Sequence, residues 1–96
     1  MKRSIFCTLM GLLTFISVHA QQVTVRGTVI SNVDDEPLIG VTVVSADNPN
    51  NGTTTDIDGA FQLSVTQGTS IVFSYVGYQS QTLPAQSEMT VYLNSD

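Results

Sequence analysis

Two aspartates one residue apart, Asp56 and Asp58, stand ahead of Gly59 in the stretch TDIDGAFQL, and that spacing invites a metal. A calcium loop of the EF-hand kind needs oxygen ligands at its first, third and fifth positions and a bidentate glutamate at the twelfth. Counted from Asp56, the fifth position is Ala60 and the twelfth is Gln67, and the glycine falls at the fourth place rather than the sixth. The pattern fails at three positions, so no metal site is expected. The same carboxylates could imitate a glycosidase pair, but neighbours across a tight turn leave no cleft for a sugar between them. Asp58-Gly59 between two β-prone runs instead predicts a two-residue hairpin turn in which both central residues accept positive φ. Asp56, just before it, is placed to cap backbone N–H groups with its carboxylate.

Other catalytic chemistry is scarce. A Ser, Thr or Cys nucleophile needs an activating base. Beyond residue 20 the chain has no His, Lys or Cys, and its carboxylates sit mainly in turns. A non-catalytic protein without a cofactor is the expectation. Tyr75, Tyr78 and Tyr92 are the residues there able to stack on a sugar. Carbohydrate binding would need them on one exposed face, whereas strand tyrosines more commonly belong to a core or its rim. Asn51-Gly52-Thr53 has the form of a glycosylation sequon, but reads better as turn chemistry.

The first twenty residues stand apart. Lys2 and Arg3 precede an apolar run over residues 5–18, which ends at Val18-His19-Ala20. A basic start, an apolar stretch and small residues at −3 and −1 predict a secretory signal peptide over 1–20. A membrane-spanning helix needs about 20 apolar residues, and this run is shorter and dotted with Ser and Thr. Cys7 follows the bulky Phe6, which argues against lipoprotein processing.

Residues 21–96 then form one domain of 76 residues, with Arg26 against eight carboxylates and a formal charge of −7. Such a surface repels phosphate backbones, so nucleic acid is excluded as a partner, and so is docking to anionic lipid. No cysteine remains to form a disulfide. A domain this small buries only about 60–65% of its unfolded surface, so a compact core and regular hydrogen bonding must hold it.

The elements that position these residues are strands. VTVRGTVIS (23–31) alternates, with Val23, Val25, Gly27 and Val29 on one side, as a half-buried strand does. NVDDEPLIG (32–40) is an acidic loop carrying Pro37 and Gly40, and VTVVSA (41–46) is a second strand. DNPNNG (47–52) predicts a turn, with Asn51 and Gly52 tolerant of positive φ. TTTDI (53–57) and AFQLSV (60–65) follow on either side of the Asp-Gly turn. SIVFSYVG (70–77) is the most apolar strand and belongs in a sheet interior. YQSQTL (78–83) is expected to run on past Gly77 through a bulge or kink, and MTVYLN (89–94) is the last strand. No helical periodicity occurs, so residues 21–96 are all-β. About seven strands suggest two packed sheets. Val25, Val29, Val41, Val43, Phe61, Leu63, Ile71, Phe73, Val91 and Leu93 are the candidate core.

Three motifs in order carry a resemblance to a known family: Pro37-Leu38-x-Gly40-Val41-x-Val43, then Gly52-Thr53-x-Thr55-Asp56-x-Asp58-Gly59-x-Phe61, then Phe73-Ser74-Tyr75-Val76-Gly77-Tyr78. Together they resemble the carboxypeptidase-regulatory-like (transthyretin-like) domain at the N-terminus of SusC/RagA-type TonB-dependent outer-membrane receptors. The resemblance implies a seven-stranded Greek-key β-sandwich on the periplasmic side of the outer membrane. It implies a protein partner, either the receptor plug and barrel or a TonB-system component. In such receptors a TonB-contacting segment, plug and barrel follow this domain, and none lies within residues 1–96. Transport is therefore not expected of this segment alone. A structural or regulatory role in uptake is implied, with a free-standing module that binds protein or glycan as the alternative. The motif residues Pro37, Gly40, Gly52, Asp56, Asp58, Gly59, Gly77 and Tyr78 are expected to shape turns rather than to catalyse.

Overall fold

The computed structural model describes residues 21–96, and the signal peptide expected over 1–20 lies outside the described residues. Seven strands form: β1 (Gln22–Ser31), β2 (Thr42–Ser45), β3 (Asn48–Thr54), β4 (Ala60–Thr66), β5 (Ser70–Ser74), β6 (Gln81–Pro84) and β7 (Glu88–Leu93). They divide into a three-stranded sheet, β4-β1-β7, and a four-stranded sheet, β3-β2-β5-β6. The result is the all-β sandwich that the alternation demands, with β5 interior to its sheet as its apolarity implied.

Period-two patterning puts one face of each strand inside. In β4, Phe61, Leu63 and Val65 are buried while Gln62 and Ser64 face water. All ten expected core residues are buried, and Val65 joins them. Phe61 from one sheet meets Phe73 from the other edge-to-face, with ring centroids 5.5 Å apart. Gly27 lies beneath Phe61, where a Cβ would come within 2.8 Å of the ring, so the aromatic occupies the space a side chain would need.

Three local expectations give way. The chain reverses between β2 and β3 at Ala46 and Asp47, not across 47–52. Pro49, Asn50 and Asn51 lie in β3, opposite a register shift between Val44 and Ser45. Pro49 is tolerated because β3 is an edge strand. Gly52 is therefore a strand residue rather than a turn residue, and neither it nor Asn51 has positive φ. A Cβ on Gly52 would meet Val44 Cγ1 at 2.5 Å, so the position demands smallness.

Second, β5 does not run on through Gly77. It ends at Ser74, and β6 returns antiparallel to it. Tyr78 N–H donates to Tyr75 C=O at 3.1 Å, and Gly77 takes φ +86°, so residues 75–78 make a full reverse turn with positive φ at its third position. Third, the strands flanking Asp58-Gly59 are not hairpin partners, because β3 and β4 belong to different sheets. Residues 55–59 form a corner between sheets.

Because strands alternate in direction, connections 31–41, 54–60 and 74–81 and the segment after β7 gather at one end, here called the motif end. Connections 45–48, 66–70 and 84–88 gather at the other. β1 and β7 pair in parallel, Val29 opposite Val91, so both strands point toward the motif end.

Candidate functional site

The three motifs, separated along the chain, meet at the motif end. Thr55 is the centre of that meeting and is 4% exposed. Its Oγ1 donates to Leu38 C=O at 2.6 Å and accepts from Val41 N–H at 2.9 Å. Its backbone N–H donates to Val41 C=O at 3.1 Å, and its C=O accepts from Gly40 N–H at 3.0 Å. Every polar group of Thr55 is thus committed to residues 38–41. A buried hydroxyl with both capacities filled costs little to bury and fixes what it touches.

The Asp-Gly corner is organised by Asp56. Its Oδ1 accepts from Asp58 N–H and Ala60 N–H, both at 2.9 Å, and its backbone C=O accepts from Gly59 N–H at 2.8 Å. Only Gly59 has positive φ, +75°; Asp58 does not, so this is not the two-residue turn expected from its sequence. Gly59 is also walled in: a Cβ would lie 2.8 Å from both Pro37 Cβ and Val29 C=O. Its own C=O accepts from Val29 N–H at 2.8 Å, while Leu38 N–H donates to Val29 C=O at 3.0 Å. The corner and the Pro37 loop are held against the same stretch of β1, where Pro37 bridges Ile30.

Tyr78 joins the third motif to this framework. Its hydroxyl hydrogen-bonds Ser31 Oγ at 2.8 Å, and its ring packs against Tyr75 with centroids 5.8 Å apart. Tyr75 and Tyr78 are partly buried against the core, whereas Tyr92 lies exposed on β7 in the other sheet. The tyrosines therefore form no common stacking face for a sugar. Ser31 also accepts from Val33 N–H at 3.1 Å, and the acidic loop closes through Asp35 N–H to Ser31 C=O at 2.9 Å and Ser31 N–H to Glu36 C=O at 2.8 Å.

Ser31, and the motif residue Thr55 in its buried bonding role, are what sequence reasoning missed. Each is a small polar residue at an inward position of the alternation, and that parity is the signal: a polar side chain facing a core must find a partner. The partners themselves, Leu38, Val41 and Tyr78, lie far along the chain.

An open groove of about 700 Å³ runs outside this framework, its lining including Arg26, Thr28, Thr54, Asp56, Gln62 and Glu88. Arg26 Nε donates to Gln62 Oε1 at 3.2 Å. Among the described residues no group of three or more His, Cys, Asp and Glu side chains is placed to hold a metal, and no buried side-chain polar atom lacks a partner. What the arrangement provides is a set of loops held by hydrogen bonds.

Two packed sheets with one end braced by buried side-chain hydrogen bonds make a small β-sandwich module. The chain belongs to the CarboxypepD_reg-like domain family, whose model matches residues 25–95. It is 45% identical over 86 residues to the TonB-dependent receptor SusC of Bacteroides thetaiotaomicron, a match covering 90% of this chain and 8% of that protein. It is 35% identical over 81 residues to the TonB-dependent receptor P39 of Formosa agariphila, covering 83% of this chain and 8% of that protein. The chain thus spans about 8% of the length of these relatives.

Proposed function

We propose that this chain is an exported, non-catalytic β-sandwich module of a TonB-dependent nutrient receptor, acting structurally or as a regulator on the periplasmic side of the outer membrane. The observation that carries the reading is the extent of the similarity to SusC. Its 86 residues exceed the 76 of residues 21–96, so the likeness reaches past the folded domain into residues 1–20. A likeness that extends into residues 1–20, where the sequence predicts a signal peptide, supports export followed by folding in the periplasm. The framework of Thr55, Gly59 and Tyr78 supports a role in presenting fixed loops, because its polar groups are spent on holding backbone.

Fractionated envelopes of the source cells, blotted with an antibody raised against residues 21–96, test this reading. The expected result is reactivity in the outer-membrane fraction on a band many times larger than this chain. Reactivity confined to the cytoplasm would overturn it. A small band in the soluble periplasm would replace the receptor module with a free-standing one.

A further inference from the structure

We propose that the motif end is a docking surface for a cationic protein segment bearing aliphatic side chains. The inference rests on the proposed contact role of this end but not on its receptor context. Five large hydrophobic residues are exposed among the described residues, and four of them, Val33, Ile39, Ile57 and Val76, are at this end. Ile57 is 75% exposed and Val76 is 93% exposed, each at the tip of its turn. Isolated exposed aliphatics need no explanation, but four of the five at one end of the sandwich do.

The loops that carry them form one continuous rim. Gly40 N–H donates to Thr55 C=O at 3.0 Å, joining the first loop to the corner. Asn32 N–H donates to Leu93 C=O at 2.9 Å, joining the first loop to the end of β7. Asp96 N–H donates to Gly77 C=O at 2.9 Å and Gln79 N–H to Asn94 C=O at 2.8 Å, which ties the third turn to the segment after β7. Loops held in this way lose little freedom on binding, and that lowers the cost of association.

Charge decides the occupant. Asp34, Asp35, Glu36, Asp56, Asp58 and Asp96 are all exposed at this end, against one cation of residues 21–96, Arg26, which stands midway along β1 beside Asp56 in the groove and bonds Gln62. An anionic membrane, which could otherwise take the aliphatic tips, is repelled by those carboxylates, as is nucleic acid. A second copy docked through the same end would set carboxylates against carboxylates across a two-fold axis. A protein segment interleaving Lys or Arg with aliphatic residues satisfies both components at once, the cations facing the carboxylates and the apolar groups covering the exposed tips.

Fluorescence anisotropy of the purified full chain tests this with a labelled peptide alternating lysine and valine. Peptides alternating glutamate with valine and lysine with serine serve for comparison. The lysine–valine peptide is expected to bind most tightly, and more weakly as salt is raised. The double variant Ile57→Ser, Val76→Ser should weaken binding about tenfold. Asp35→Asn should weaken it more than Glu88→Gln, which removes one charge from the other half of the molecule. Dispersed amide NMR spectra establish that each variant is folded. Equal binding of the glutamate–valine peptide, no binding of the lysine–valine peptide, or equal effects of Asp35→Asn and Glu88→Gln would overturn the proposal. The fractionation experiment reads the receptor assignment separately, so the two can fail independently.

Discussion

The two ends of the sandwich each close three connections between strands, yet they do so by different means. At the end opposite the motifs, backbone groups carry the closure: Ala46 N–H to Ser70 C=O at 2.8 Å, Ala85 N–H to Thr69 C=O at 2.9 Å and Gln67 N–H to Gln21 C=O at 2.7 Å. Side chains there add Ser45 to Asp47, with Thr69 Oγ1 reaching Asp47 at 3.3 Å. None of the exposed large hydrophobics lies on those loops. The motif end instead buries Thr55, Ser31 and Gly59 beneath its loops and leaves aliphatic tips in water. The opposite end also buries a hydroxyl, that of Ser45, but carries no exposed large hydrophobic on its loops. The motif end sets exposed aliphatic tips over its buried polar groups.

The strongest way to break this difference is at Gly59. Gly59→Ala adds backbone strain at φ +75° and a Cβ against Pro37 and the Val29 carbonyl, neither of which is the movable end of a side chain. A loss of about 3 kcal/mol in urea unfolding is expected. Gly77→Ala separates the two contributions. Its φ is +86° but its Cβ would meet nothing within 4 Å, so only strain remains, about 1 kcal/mol. Equal losses at the two positions would show that the packing of the corner against the Pro37 loop contributes nothing.

Thr55→Val keeps the shape and removes the hydroxyl, leaving Leu38 C=O and Val41 N–H without that partner. About 2 kcal/mol should be lost by the same measurement. Tyr78→Phe removes one hydrogen bond, from Ser31, and should cost about 1 kcal/mol. At the opposite end, Thr69→Ala deletes an exposed contact and should change stability by less than about 0.5 kcal/mol. If Thr69→Ala proved as damaging as Thr55→Val, the ends would be equivalent and the distinction would collapse.

Much of the framework was legible from local pattern. Strict alternation in 23–31 and 60–65 placed Val25, Val29, Phe61 and Leu63 inside, because side-chain direction in a strand reverses at every residue whatever the partner strand. The Asp56 capping geometry was also within reach, since a carboxylate two residues before an N–H is a local relation. Gly52 and Gly77 were misread for a shared reason. A glycine signals permissiveness without saying whether the chain there needs an unusual φ or only the absence of a side chain, and that depends on what packs across from it. Gly52 faces Val44 in an extended strand, while Gly77 stands in open space within a turn.

The sequence by itself determined that residues 21–96 are all strand and turn, which side chains make most of the core, and that the surface is acidic, because these follow from residue type and period two. Only the tertiary structure decided that β3 and β4 part into different sheets, that β1 and β7 run parallel, and that Thr55 clasps residues 38–41. Those choices depend on pairings between residues distant in the chain, where many registers satisfy the same alternation and the hydrogen bonds of a few buried polar groups select one.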